Sequence, residues 1–177
     1  MKIFAYDGGF SFRDECLSLA FAMGFGLTRD LAAADVAIAP LLRRRLTDEE
    51  WAAPVHGTLI FHPSALPYRR GPDAIKHTIA AGERVSAATW FWCNGKLDAG
   101  DVCEQELVVL LPGELPRDAY EHRFKPAGLR ALQRALAGVA NDNPRRIRQD
   151  ELLATYDGPY VRERYFPSGI IFGKTCG

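Results

Sequence analysis

One apolar run, Leu59-Ile60-Phe61, constrains the fold more than any other stretch of this chain. It shows no alternation of apolar and polar residues. That is the signature of a parallel strand covered on both faces, because an exposed face would place a polar side chain at every second position. From His56 to Cys103 the chain then reads strand, sharp Pro-containing loop, helix, strand and Gly-rich turn. Strands alternating with helices imply an α/β architecture. Two ionisable side chains, His62 and Asp98, sit where loops leave strands.

The flanking segments fit the same architecture. Lys2 to Tyr6 reads as a first strand, and Asp7-Gly8-Gly9 as the turn after it. These glycines do not form a G-x-G-x-x-G fingerprint, so no dinucleotide site is expected. Ser11 can cap a helix from Phe12 to about Met23, stopped by Gly24. Val36-Ala37-Ile38-Ala39 is a second strand, closed by Pro40. Thr47 with Glu50 three residues on is a capping box for a short helix through Trp51, ended by Pro54. Pro72 to Ala81 reads as a helix with Gly82 as its stop. Val85 to Trp92 and Val102 to Val109 read as a hairpin-like pair, and Asp98 lies in their connection. Asn94-Gly95 and Ala99-Gly100 let that connection turn tightly. Arg117 to about Ala140 is helical, with Tyr120, Phe124, Leu132, Leu136 and Val139 at helical spacing. Pro126 either interrupts this ladder or opens a second helix. Asn141 to Pro144 is a loop. Near the end, Asp157-Gly158-Pro159 is a turn between extended pieces at Ala154–Tyr156 and Tyr160–Arg164.

Composition narrows the function classes. The 177 residues fit one domain, 1–177, with a sizeable core. A formal net charge of +0 leaves no global electrostatic footprint for nucleic acid. The arginine clusters Arg43–Arg45, Arg69-Arg70 and Arg145–Arg148 read as solvated edges rather than phosphate clamps. Cysteines at 16, 93, 103 and 176 form no Cys-x-x-Cys pair, and the histidines show no zinc spacing, so no metal is expected. Reduced thiols in a cytoplasmic protein are the preferred reading. The first ten residues lack the apolar core of a signal peptide, and no window approaches the ~20 apolar residues of a membrane span.

His62-Pro63-Ser64-Ala65-Leu66-Pro67 and Leu97-Asp98-Ala99-Gly100-Asp101 carry a resemblance. Together they resemble the 10-formyltetrahydrofolate-dependent formyltransferases, which are marked by an H-P-S-x-L-P loop and a downstream L-D-x-G-D turn. The transferases have Asn two residues before the motif histidine, where this chain has Ile60. An aliphatic residue there is similar to the hydrolase domain of 10-formyltetrahydrofolate dehydrogenase. The likeness takes in His56-Gly57, Trp90 to Trp92, Tyr120, Phe124, Pro126 and Gly128, and ends near Gly158. It is poorer before about Pro40.

The resemblance implies a Rossmann-like, mostly parallel twisted sheet with helices on both faces and a shortened amino-terminal half. It implies 10-formyltetrahydrofolate as formyl donor, with water or a small molecule as acceptor. It also implies that folate lies between Pro40-Leu41-Leu42 and the stretch Trp92, Asn94, Gly95, Lys96, Leu97. Formyl transfer needs a donor at the developing oxyanion and a proton carrier near the nucleophile. His62 can supply the first. Asp98 can hold a water, orient His62 and collect the proton. Ile60 cannot donate a hydrogen bond. Either the site has decayed to binding folate, or its chemistry suits water or a thiol; the close alternative is N-formylation of an amine such as an amino sugar nucleotide. The bland alternatives are a strand-end histidine bonded to backbone and a turn aspartate bonded to its own loop. Trp90 and Trp92 share a face, as core or as ligand wall.

Overall fold

The computed structural model describes residues 1–8 and 12–161. Its strands are β1 (Lys2–Ala5), β2 (Gly26–Leu27), β3 (Val36–Ala39), β4 (Thr58–His62), β5 (Val85–Trp92) and β6 (Val102–Val109). They form one sheet in the order β2-β1-β3-β4-β5-β6. The β1–β2, β1–β3 and β3–β4 pairings are parallel. β4 and β5 run antiparallel, as do β5 and β6. The expected α/β sheet is therefore present, but Leu59-Ile60-Phe61 is parallel to one neighbour only. β2 escaped the sequence reading because two exposed residues, Gly26 and Leu27, carry no periodic signal.

The helices are α1 (Phe12–Ala22), α2 (Asp48–Ala52), α3 (Ala74–Ala80), α4 (Pro116–Ala119) and α5 (Lys125–Ala140). Ser11, proposed as a cap, and the piece beyond Val161 lie outside the described residues. The capping box is present in full: the Thr47 hydroxyl accepts from the Glu50 N–H, and the Glu50 carboxylate accepts from the Thr47 N–H. α3 starts at Ala74 rather than Pro72, because Asp73 is left-handed at φ 62°. Pro126 is accommodated by widening the preceding turn. Tyr120–Phe124 is a π-helical turn whose Tyr120 carbonyl accepts from the Lys125 N–H, and α5 then starts with Pro126 in its first turn. A proline costs little there, since the first-turn N–H groups have no intrahelical acceptor.

Side chains alternate along the strands and build two unequal layers. Ile3, Ile38, Leu59, Phe61, Trp90 and Val36 face α1 and α5 and form the main core. Phe12 meets Phe61 edge-on at 5.0 Å, and Phe61 meets Trp90 at 5.3 Å. Such pairs add about 0.5–1.5 kcal/mol each beyond burial alone. The Trp90 indole N–H donates to the Gly128 carbonyl at 2.8 Å, so Trp90 is core, not ligand wall. The opposite layer is smaller: Tyr6, Ala37, Ala39 and Leu46, with Ile60, Trp51 and Cys93 packed against them. A thin layer here leaves room for a cavity.

One arginine cluster, Arg69-Arg70, corrects the sequence reading, whereas Arg43 to Arg45 and Arg145, Arg146 and Arg148 are exposed. Arg70 is not a solvated edge; its exposure is 0%. Arg69 pairs with Glu83 and Asp157. What the sequence could not supply is the partners, which lie far along the chain.

Gly128 sets how closely α5 approaches the sheet. A Cβ there would stand 2.8 Å from Phe61 Cε2 and 3.0 Å from Phe12 Cζ. Helix propensity alone would make Gly128→Ala stabilising by about 1 kcal/mol, but overpacking a closed core costs about 1–3 kcal/mol. Both rings are held in the core, so the substitution is expected to lower the urea midpoint at unchanged slope. A raised midpoint would show that the rings yield.

Candidate active site

β4 sends Leu59 and Phe61 into the main core, so Ile60 and His62 project together from the opposite face. The motif loop that follows is pinned by two hydroxyls, one its own and one from β5. Ser64 Oγ–H donates to the Tyr68 carbonyl at 2.8 Å, and Thr89 Oγ1–H donates to the Ser64 carbonyl at 2.6 Å. The Leu66–Pro67 peptide is cis.

The loop returns at Arg69 beneath the histidine. His62 Nε2 lies 2.8 Å from the Arg69 carbonyl oxygen. A carbonyl only accepts, so Nε2 carries the hydrogen. His62 Nδ1 is left facing Asp98, 3.7 Å from Oδ2. That same Oδ2 accepts from the Gly71 N–H at 2.8 Å. The peptide groups on either side of Arg70 therefore hold both ionisable side chains. Gly71 has φ 104°, and a Cβ there would run into the Asp157 carbonyl, so only glycine fits.

Asp98 arrives by a long return. Because β5 is antiparallel to β4, Trp92 ends opposite Leu59, at the far end of β4 from His62. Cys93 N–H donates to the Thr58 carbonyl there, and Trp92 N–H to the Asp101 carbonyl. The connection doubles back across the Ile60 face between those anchors. Asn94 folds it: its amide donates to the Ala99 carbonyl at 3.2 Å and its oxygen accepts from the Lys96 N–H at 3.1 Å. Asp98 is left-handed, φ 47°, a conformation that aspartate tolerates better than most residues.

Between these loops lies a cavity of about 1060 Å³, at the upper end of the ~300–1,000 Å³ usual for small-molecule sites. Leu41, Leu42, Ile60, His62, Gly95, Lys96, Leu97 and Asp98 all line it. Three expected binding residues do not. Pro40 is buried, Asn94 serves its own loop, and Trp92 is 2% exposed with its indole N–H donated to the Arg145 carbonyl. Arg146 lies over that indole, 4.0 Å from the ring centre. The rim is basic, with Arg43 to Arg45, Lys76, Lys96 and Arg117. Arg44 is taken up by a two-pronged pair with Glu50, which is pushed down to about 2, and Lys76 pairs with Asp73. Sequence reasoning missed Phe91 and Tyr120 in the wall. The only available signal was their place in the hairpin strand and before Pro126.

Comparison with known proteins gives the family and the fold. Residues 27–136 match the family model described as formyl transferase, and the matched span contains both motif loops. The chain belongs to the formyl transferase family. Cytosolic 10-formyltetrahydrofolate dehydrogenase of Xenopus laevis is 33% identical over 130 residues, 73% of this chain but 14% of the relative. The chain thus spans about a seventh of that relative's length. Among solved structures, HypX from Aquifex aeolicus in complex with tetrahydrofolic acid superposes with a TM-score of 0.80 at 21% identity, covering 92% of this chain and 30% of that one. The formyltransferase PseJ from Anoxybacillus kamchatkensis superposes at 0.76 with 17% identity, covering 96% and 93%. These likenesses establish the formyltransferase fold. Among the described residues, no helix is long and apolar enough to cross a membrane.

Cys93 also lines the cavity, half-buried beside Ile60. Burial pushes its thiol up, and Asp48 and Asp98 add to the shift. A raised thiol is less ionised at neutral pH, and the thiolate is the reactive form. Cys93 is therefore expected to alkylate more slowly than free cysteine near neutrality, with the rate still climbing at alkaline pH where free cysteine has levelled off. Peptide-resolved mass spectrometry after iodoacetamide pulses measures this. A fast reaction at neutral pH would reverse the assignment and make Cys93 a nucleophile.

Proposed function

We propose that this chain uses 10-formyltetrahydrofolate as a formyl donor, by hydrolysis or by transfer to a small acceptor, with His62 and Asp98 as its catalytic pair. The observation that carries the reading is the pair itself. Two side chains from separate motif loops meet in a cavity of ligand size, fixed by backbone groups two residues apart.

The geometry is compatible with the following steps of hydrolysis. Folate lies between the Leu41-Leu42 loop and residues 95–97. Water held by Asp98 attacks the formyl carbon, and its proton passes to the His62–Asp98 pair. The carbonyl oxygen becomes an oxyanion. With Nε2–H committed to Arg69, His62 acts through Nδ1, so it donates to the oxyanion in its protonated form. The bond from carbon to the folate nitrogen then breaks, the nitrogen takes up the proton, and formic acid and tetrahydrofolate leave, the acid losing its own proton to solvent to give formate. General acid–base groups of this kind contribute about 10²–10⁴-fold.

Ile60 stands where the transferases place Asn, directly beside His62 on the same strand face. It packs against the apolar layer that includes Cys93. An amide there would have supplied a second oxyanion donor, a contribution of about 10²–10³-fold. An apolar wall at this place favours water or a small, weakly solvated acceptor over an amine.

Asp98→Asn keeps the shape of the site and its bond from Gly71 but removes the proton carrier. Formate release should fall about 10²–10⁴-fold while calorimetry with a stable folate analogue shows binding retained. Near wild-type turnover would remove Asp98 from the mechanism. Ile60→Asn separates the acceptors. If position 60 is an apolar wall, burying an amide there costs about 1–3 kcal/mol, melting temperature falls and amine formylation does not rise. A large gain in amine formylation at unchanged melting temperature would instead identify a transferase lacking one donor. Binding with neither formate nor formylated product would identify a folate-binding module.

A further inference from the structure

We propose that the segment 145–157 is a brace that completes the catalytic site, and that Arg70 and Gln149 are positioning residues for His62 and Asp98. The inference rests on the reading of those two as the catalytic pair. The brace lies wholly outside residues 27–136, the span that matches the family.

Arg70 is buried between the two peptide groups that hold the pair, and a buried guanidinium must have its donors satisfied. Arginine has five N–H donors. Here Nε and Nη2 donate to Gln149 Oε1 at 3.1 and 2.8 Å. Nη1 and Nη2 donate to the two Glu151 oxygens, each at 2.9 Å, and Nη1 also donates to Tyr156 Oη at 2.6 Å. All five donors are used, and every acceptor comes from the brace.

Gln149 is equally saturated. Its oxygen accepts the two Arg70 bonds. Its amide nitrogen donates to the Asp98 carbonyl at 2.9 Å and the Gly100 carbonyl at 2.6 Å. One side chain, 5% exposed, thus ties the Asp98 turn to the anchor of the His62 loop. Backbone bonds fix the brace on both sides. Arg70 N–H donates to the Thr155 carbonyl and Asp157 N–H to the Arg70 carbonyl, while Ile147 and Val102 exchange a pair of bonds.

A displacement of about 1 Å in a catalytic group can cost roughly 10²-fold in rate. The brace controls two such groups through one node, and neither Arg70 nor Gln149 lines the cavity. It therefore acts on the placement of the pair, not on ligand contacts.

The test compares Gln149→Glu, Gln149→Ala and the more exposed Glu151→Ala with wild type, in the full chain. Gln149→Glu keeps the shape but turns a donor into an acceptor facing two carbonyls. Three readouts are taken: melting temperature, kcat and KM for formate release against pH, and the pH titration of the His62 ring proton by NMR. The expected result is a loss of kcat of about 10²-fold for Gln149→Glu with KM little changed. The rate profile and the His62 titration should shift together, with Gln149→Ala and Glu151→Ala displaced in the same sense. Unchanged His62 titration and kcat in folded Gln149 variants would overturn the brace, as would a kcat loss that only tracks the unfolded fraction. If the two Gln149 variants fail to fold, Glu151→Ala decides on the same criteria. If wild type releases no formate, the functional reading fails, and the His62 titration still decides whether the brace positions the pair.

Discussion

β4 is bonded in two directions, and the site follows from that. To β3 it is a parallel neighbour, so the chain leaves both strands at the same end, where Leu41 and His62 stand. To β5 it is antiparallel, so β5 finishes at the wrong end for joining them. The connection after Trp92 must then cross the sheet face to return. That crossing is what carries Asp98 to His62 and roofs a cavity over Ile60. An all-parallel continuation would have placed the next loop beside His62 and left this face to a helix.

Buried charge is handled with unusual completeness for so small an opposite layer. Removing one partner from a buried ionic group costs about 3–5 kcal/mol, because the other charge is left uncompensated. Arg70 avoids this with five hydrogen bonds to four acceptor atoms. On the main-core side, Lys125 is held by Glu15 from α1 at 2.6 Å and Glu121 from the π-helical turn at 2.9 Å. The first ties loops to one another, and the second ties α1 to the start of α5. Each is a cross-link between segments far apart in the chain, made where apolar packing alone would not fix a register.

Most of the architecture was legible because its causes are local. The capping box at Thr47 and Glu50, the hairpin from Val85 to Val109 and the stop at Gly82 are each written within a few residues. So was the pairing of His62 with Asp98, through two motif loops rather than through spacing. The brace was not legible. Arg70 next to Arg69 looks like a charged edge, and nothing near it announces Gln149, Glu151 and Tyr156 about eighty residues on. Trp92 and Asn94 were expected to face folate, but their side chains bond to the Arg145 and Ala99 carbonyls and do not line the cavity. Orientation of this kind is decided by tertiary partners.

The two groups that touch His62 and Asp98 most closely are main-chain atoms, the Arg69 carbonyl and the Gly71 amide. Side-chain replacement does not delete either atom. An alanine scan would replace the Arg70 side chain and leave both of these main-chain contacts in place. A proline at 71 or an ester linkage would be needed to erase the amide. The clamp is thus written in the path of the main chain, and Gly71 is the residue whose identity that path requires.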